Sequence, residues 1–259
     1  MCGRFALFAD DDELMSLFDI DVLEGEHAPT WNQAPSQQIR VVMEPSARAV
    51  PVRRKMRLLQ WGLVPGWART PLRPMINARA ETLAEKPSFR AAAARRRCLV
   101  PANGYFEWQA PVPGAGSRAK QPWFLSAGSG SGDEGDPVLA LAGIYDAWRA
   151  PDAGRGPGSS DGWLLTCAIV TRAATDALGV VHDRMPVVVP PALWDAWLDP
   201  AMTDLDQVSA LLRSISDPVL SPRRVGPAVG DARNDSPGLI APLPGPGEVR
   251  PDGAGDDPL

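Results

Sequence analysis

The sequence predicts an α+β fold: a single domain with a curved, mostly antiparallel, barrel-like β-sheet flanked by a few helices. Three observations support this prediction. Segments of strand character outnumber helical ones along the chain. Turns rich in Gly and Pro separate many of them. Neither an internal repeat nor a change in composition divides residues 1–243 into smaller units.

The strand candidates are short and rich in β-branched and aromatic residues. A Pro-Ala-Asn-Gly turn at residues 101–104 separates two of them, which is typical of a hairpin. In chain order the candidates are Gln38–Met43, Arg57–Gly62, Cys98–Val100, Tyr105–Trp108, Pro122–Leu125, Val138–Tyr145, Trp163–Val170 and Met185–Val189.

Helical candidates are fewer. Asp10–Phe18 begins with acidic residues, which suit the positive end of a helix dipole. The other candidates are Glu81–Arg95, Pro190–Leu198 and Asp204–Arg213. Three insertions rich in Gly, Pro and Ser predict surface loops: Pro111–Lys120, Gly128–Gly135 and Ala150–Gly162.

The last 16 residues differ from the rest. Half of residues 244–259 are Gly or Pro, and the segment contains four acidic residues but only one Arg. This composition predicts a disordered acidic tail behind a folded domain of residues 1–243. The tail also carries much of the net charge of −5.

Composition excludes several classes of protein. No apolar run reaches the roughly 20 residues of a membrane span, and the N-terminus lacks the pattern of a signal peptide, so we expect a cytoplasmic protein without a membrane partner. Three widely spaced cysteines and two histidines argue against zinc and against a disulfide framework. No metal and no cofactor are expected.

Basic residues cluster despite the negative net charge. Clusters occur at residues 53–57 and 90–97, with Arg69, Arg73 and Arg79 between them. Solvated surface arginines explain each cluster as well as a basic groove for nucleic acid does. The sequence leaves both interpretations open.

Cys2 is the residue with the most distinctive chemistry. Removal of Met1 would place a thiol and an α-amine on adjacent carbons, and an aldehyde can condense with both to form a thiazolidine ring. The amine and the thiol titrate near pH ~8 and ~8.5, so little activation is needed. A small residue at position 2 is alternatively explained by the trimming of Met1 alone.

Four further segments carry polar groups beside apolar residues. Glu107, within an aromatic strand, is either a general base or an outward-facing carboxylate. Asn77 could hold an oxyanion or cap a helix. His182 could transfer protons or be structural, as we expect for His27. Trp67 could stack on bases or pack in the core.

Together these segments resemble one family. The blocks MCGRF, WNQAP, WGLVPGW, INARAET, RCLVPANGYFEW and VHDRMPVVV, in this order, are similar to the signature blocks of the SOS-response-associated peptidase family, the abasic-site processing proteins. A later block, residues 225–243 with AVGDARND, resembles the family's C-terminal strand. The resemblance spans residues 2–243.

The resemblance implies an activity and a set of catalytic residues. The protein would bind single-stranded DNA, or its junction with duplex, and crosslink to an abasic site. Cys2 would form a thiazolidine with the ring-opened deoxyribose. Glu107 would move protons at the amine, Asn77 would position the amine and the sugar, and His182 would assist ring opening through O4′ and later reversal.

The resemblance also implies DNA contacts. Arg4, Arg79, Thr171 and Arg184 would contact phosphates or the lesion, whereas Pro35 and Trp67 would line the place where bases unstack. Some relatives carry a second aromatic residue where this chain has Ala68. With Ala68, this chain lacks the second aromatic residue that would wedge into a duplex junction in those relatives.

Three alternatives remain at the level of sequence. An MCG start is shared with glutamine amidotransferases that use an N-terminal nucleophile. A cysteine peptidase restricted to processing its own N-terminus would use the same Cys2, although only Met1 precedes it. A DNA sensor without covalent chemistry would form complexes that salt reverses.

Overall fold

The computed structural model describes residues 2–44, 54–70, 74–111, 119–127, 137–149, 162–174 and 181–243. The strands in these ranges form a sheet of five strands and a sheet of eight. Numbered along the chain, they are β1 (Phe5–Leu7), β2 (Val22–Leu23), β3 (Thr30–Gln33), β4 (Gln38–Met43), β5 (Lys55–Trp61), β6 (Asn77–Arg79), β7 (Arg97–Ala102), β8 (Gly104–Gln109), β9 (Gln121–Ser126), β10 (Leu139–Arg149), β11 (Trp163–Ala173), β12 (Arg184–Pro186) and β13 (Ser221–Arg224).

The larger sheet closes on itself. Its order is β12-β11-β10-β7-β4-β5-β2, and β5 also pairs with β11 through Gln60 opposite Thr166 and Trp61 opposite Cys167. The pairs from β11 through β10, β7 and β4 to β5 are antiparallel. Closure removes free strand edges, as in a barrel. The expected α+β fold with a curved, barrel-like sheet is confirmed.

The smaller sheet has the order β13-β9-β8-β1-β3 and is antiparallel throughout. It shares a core with the barrel. The ring of Phe5 on β1 lies 5.2 Å, centroid to centroid, from the ring of Trp61 on β5, and both side chains are fully buried. Residues of β1 and β8 are thereby fixed against the end of the barrel.

Helices cover the barrel at four places in the described residues: α1 (Asp11–Phe18), α2 (Pro87–Arg95), α3 (Trp194–Leu198) and α4 (Leu205–Ser214). Asp10 caps α1 by accepting the Glu13 N–H at 2.8 Å. The predicted helix Glu81–Arg95 is wrong as one element. A 3₁₀ turn spans Ala80–Thr82, and α2 begins only at Pro87, whose missing N–H is tolerated in the first helical turn.

Several elements differ from the sequence prediction. The short strands β1, β2, β3, β6 and β13 were not predicted. The block at residues 225–243 was expected to be a strand, yet the strand, β13, ends at Arg224, and the block contains 3₁₀ turns at Pro227–Gly230 and Pro237–Ile240. Each turn begins with a proline, whose fixed φ and missing N–H disfavour a strand.

None of the helices in the described residues is long and apolar enough to cross a membrane. The predicted acidic tail, residues 244–259, lies outside the described residues, as does Gly128–Gly135. The other two predicted insertions are described only at their ends. The domain boundary at residue 243 therefore remains a prediction.

Candidate active site

Cys2 lies just ahead of β1 and beside β8. The Arg4 carbonyl accepts the Phe106 N–H at 2.9 Å, which extends the pairing of the two strands toward the start of the chain. The Cys2 side chain is fully buried. Burial, reinforced by the negative charge of Glu107, raises the pKa of the Cys2 thiol. The thiol is therefore protonated at neutral pH.

Glu107 belongs to β8, opposite Trp123 of β9. Its side chain is 3% exposed, so the alternative of an outward-facing carboxylate is wrong. Burial raises the pKa of Glu107 to about 7. A carboxyl group with this pKa exists in both protonation states near neutrality and can either accept or donate a proton.

Asn77 is the first residue of β6, which runs parallel to β11 with Asn77 opposite Ile169. Its Nδ2 donates a hydrogen bond to the Cys2 carbonyl at 2.8 Å. Its Oδ1 is buried and has no hydrogen-bond partner among the described residues. The helix-capping alternative is wrong, because the amide points to Cys2 and leaves an acceptor available beside it.

His182 lies two residues before the short strand β12. Its Nε2 lies 4.0 Å from Glu107 Oε2. Its Nδ1 lies 3.0 Å from the backbone N of Arg184 and 2.8 Å from Asp183 Oδ1. Burial lowers the pKa of His182 from its usual 6.5, so the ring is largely neutral at pH ~7.

The fold thus gathers four predicted site residues from distant parts of the chain: Cys2, Asn77, Glu107 and His182. Sequence reasoning missed a fifth buried neighbour. Tyr105 is 1% exposed, and burial, with the charges of Cys2 and Glu107, raises its pKa well above the usual value. Its place two residues before Glu107 on the same strand, and hence on the same face, was the available signal.

Two of the residues predicted to contact DNA, Arg184 and Thr171, form contacts within the protein instead. Both terminal nitrogens of Arg184 bind the carboxylate of Glu81, at 2.7 and 2.9 Å. One of these nitrogens also donates to the Thr171 carbonyl at 2.8 Å. Thr171 is fully buried, so its side chain cannot reach DNA directly in this conformation.

Arg4 is also held by the protein. Its guanidinium donates to Asn32 Oδ1 at 2.7 Å and to the carbonyls of Val229 and Gly230 at 2.8 and 3.3 Å. These bonds tie the chain near Cys2 to β3 and to the 3₁₀ turn at residues 227–230. Burial lowers the pKa of Arg4. In this conformation Arg4 stabilises the position of the chain next to Cys2.

The remaining predicted contacts lie at the surface. Arg79 is exposed at the end of β6, and Pro35 is half-buried in the turn before β4. Trp67 is 59% exposed and, with Arg90 and Arg95, lines a cavity of about 580 Å³ beside α2. The core-packing alternative for Trp67 is therefore wrong.

The basic clusters divide into structural and surface groups. Arg97 is buried and donates to main-chain carbonyls, among them that of Trp197 at 2.7 Å. Arg54 is paired with Glu44. The exposed group contains Arg69, Arg79, Arg90 and Arg95, which form no ion pair with another described residue. Within the described part of these clusters, this exposed group offers unpaired positive charge to an anionic partner.

The comparisons with known proteins agree with the geometry. The sequence matches the SOS response associated peptidase (SRAP) family over residues 1–232. It is 35% identical over 244 residues to abasic site processing protein YoqW of Bacillus subtilis strain 168, covering 93% of this chain and 99% of that protein. It is 36% identical over 217 residues to abasic site processing protein YobE of the same organism, covering 82% and 88%.

A crystal structure of a protein from Bacteroides thetaiotaomicron superposes with a TM-score of 0.67 at 23% identity, covering 92% of this chain and 98% of that one. This likeness shows the fold. The resemblance noted in the sequence blocks is confirmed by the family match. Since that match spans residues 1–232, the chain belongs to the SOS response associated peptidase family.

Proposed function

We propose that the protein processes abasic sites in DNA by forming a covalent crosslink through Cys2. The observation that carries the proposal is the position of Asn77 and Glu107 around Cys2: a hydrogen bond of 2.8 Å from Asn77, and a buried carboxyl group whose charge acts on the thiol. The relatives YoqW and YobE, described as abasic site processing proteins, support the same substrate.

The proposed reaction begins once removal of Met1 has freed the Cys2 amine. The neutral amine attacks the C1′ aldehyde of the ring-opened deoxyribose, and loss of one water gives an imine. The Cys2 sulfur then adds to the same carbon while its proton passes to the nitrogen, which closes a thiazolidine. Aldehyde, amine and thiol are consumed, and one water is released.

Each neighbouring side chain has a part in this sequence. Glu107, with a pKa of about 7, takes a proton from the ammonium group and returns one to the departing hydroxyl. The free Oδ1 of Asn77 accepts a hydrogen bond from the amine or a sugar hydroxyl. His182 donates from its ring to O4′ and so promotes the opening of the cyclic sugar.

Single-stranded DNA is the proposed partner, with single-strand to duplex junctions as a second form. The exposed Trp67 and the cations Arg79, Arg90 and Arg95 supply a stacking surface and positive charge. Pro35 would line the bases, whereas the buried Thr171 would act on the lesion side indirectly, by holding Arg184 through its carbonyl. We place this activity in the cytoplasm, at the nucleoid.

A cysteine peptidase, including one that processes its own N-terminus, would use the same thiol against an amide. Such an attack needs a thiolate, and burial makes the Cys2 thiolate scarce. The thiazolidine route avoids this difficulty because the amine attacks first. The relatives named above are described as abasic site processing proteins, and neither is described as an amidotransferase.

The test is denaturing electrophoresis of the protein after incubation with a single-stranded oligonucleotide that carries one abasic site. We expect a shifted band that survives heat and high salt, and no such band with an intact oligonucleotide. A complex that salt or detergent dissolves would indicate binding without covalent chemistry. Removal of an extension fused ahead of Cys2, without any crosslink to the oligonucleotide, would support the peptidase instead.

A further inference from the structure

Glu81 has no part in the proposed chemistry, yet it makes one of the most complete ion pairs in the described residues. Its two carboxylate oxygens accept hydrogen bonds from both terminal nitrogens of Arg184, and Oε1 also accepts the Ala173 N–H at 3.1 Å. Hydrogen bonding by Arg184 lowers the pKa of Glu81 to about 2. Glu81 is therefore ionised across the whole physiological range.

This pair fixes the start of β12. Arg184 is the first residue of the strand and lies opposite Ala173 of β11, and its guanidinium also donates to the Thr171 carbonyl. The side chain is only 12% exposed. Glu81 and Thr171 together hold the side chain of Arg184, and the pairing with Ala173 holds its backbone at the start of the strand.

The backbone N–H of Arg184 is directed at His182. It lies 3.0 Å from Nδ1, which must then be the acceptor nitrogen of a neutral ring, so the ring proton sits on Nε2, facing Glu107. Asp183 Oδ1, 2.8 Å from Nδ1, favours the opposite tautomer or the imidazolium. Asp183 is 86% exposed, so water weakens its influence, whereas the N–H is held by the strand.

We propose that Glu81 is a positioning residue that acts through Arg184 to hold the ring proton of His182 on Nε2. Lys120, Asp183, Glu107 and Arg184 are the charged groups of the described residues that act on the ring. Of these, Arg184 alone forms a bidentate ion pair with a residue of another element, Glu81 of the 3₁₀ turn Ala80–Thr82. The catalytic consequence rests on the proposed function: a proton on Nε2 is the one that His182 can deliver to the sugar.

The direct test is nitrogen-15 NMR of the full-length protein at about pH 8, where the ring is neutral. The chain contains two histidines, and a His27→Gln background leaves only the signals of His182. We expect the Nε2-protonated tautomer in this background. Glu81→Gln should shift the population toward Nδ1 protonation, and Asp183→Asn should deepen the Nε2 preference. Arg184→Lys, which keeps the charge but loses the fork, should act like Glu81→Gln.

The control is Asp217→Asn, which removes the ion pair to Arg172 on the same strand β11. This variant should leave the His182 tautomer unchanged, although β11 loses an ion pair comparable to that between Arg184 and Glu81. An unchanged tautomer in both Glu81→Gln and Arg184→Lys would overturn the proposal. So would an equal shift in Asp217→Asn, since it would indicate general loosening.

The kinetic readout separates this proposal from the proposed function. Glu81→Gln should slow crosslinking about threefold to tenfold while leaving the dissociation constant of the non-covalent DNA complex unchanged. Tighter DNA binding with an unchanged crosslinking rate would mean that Glu81 competes with phosphate, and would overturn the positioning role. If the unmodified protein fails to crosslink, the proposed function fails, while the NMR result still decides the tautomer.

Discussion

Glu107 Oε2 lies 4.0 Å from His182 Nε2, and burial moves the pKa values of the two groups in opposite directions. The pKa of Glu107 rises to about 7, whereas that of His182 falls from 6.5. Near neutral pH the Glu107 carboxyl group therefore exists in both protonation states, while the His182 ring is mainly neutral. This arrangement suits a reaction that both takes and returns protons.

Cys2→Ala should abolish heat-stable crosslinks. The variant lacks the sulfur that closes the ring, and any imine left by its amine is hydrolysed. Salt-sensitive binding of single-stranded DNA should persist, because no phosphate contact is removed. Electrophoresis under denaturing and native conditions measures the two effects. Cys167→Ala, a change at a second fully buried cysteine, is the control and should crosslink normally.

Glu107→Gln should slow crosslinking by at least about tenfold and should remove the pH dependence centred near 7. The amide keeps the shape of the carboxyl group but cannot accept the ammonium proton. Rates measured by quenched reactions between pH ~5 and ~9 check this. An identical pH profile in both proteins would exclude Glu107 as the proton acceptor.

The same substitution should affect stability in a pH-dependent way. Glu107 has a pKa raised from 4.5 to about 7, so its contribution to stability is present below pH ~4.5 and is lost as the pH rises through ~7. At pH ~8 the buried charge costs up to about 3 kcal/mol. Urea unfolding should therefore show Glu107→Gln gaining stability over the unmodified protein at pH ~8 relative to pH ~4.

Trp67→Ala should weaken binding of single-stranded DNA by about 1–3 kcal/mol, which corresponds to the loss of one stacked base. The side chain is 59% exposed, so the fold should tolerate the change. Trp163, which is 51% exposed on β11, provides a matched control. Fluorescence anisotropy with a labelled oligonucleotide compares the two, and equal losses would remove Trp67 from the binding surface.

The long strands of the barrel were predicted from segments of alternating apolar and polar residues, because each of these strands buries one or both of its faces. The short strands β1 and β6 were not predicted, since three residues carry no periodicity and both depend on partners distant in sequence. The helix predicted through Pro87 failed at the residue where a proline can only begin a helix.

The sequence identified the four catalytic candidates, but it did not predict that they lie close together in the fold. Asn77 reaches Cys2 only because β6 runs along β11, and His182 reaches Glu107 only because β12 pairs with β11 on its other edge. The ion pairing of Arg184 with Glu81 was likewise beyond sequence reasoning, since the family resemblance implied a contact of Arg184 with phosphates or the lesion. The residues of these pairs lie 75 to 103 positions apart in the sequence, so their contacts have no local signature.

The central claim is that Cys2 joins DNA through both its nitrogen and its sulfur. Mass spectrometry of the crosslink after nuclease and tryptic digestion tests this most directly, on the N-terminal peptide Cys-Gly-Arg, residues 2–4. We expect this peptide to carry the sugar remnant with the loss of one water, and to resist both thiol alkylation and borohydride reduction. An adduct on a lysine, or a Cys2 adduct whose thiol still alkylates, would contradict the claim.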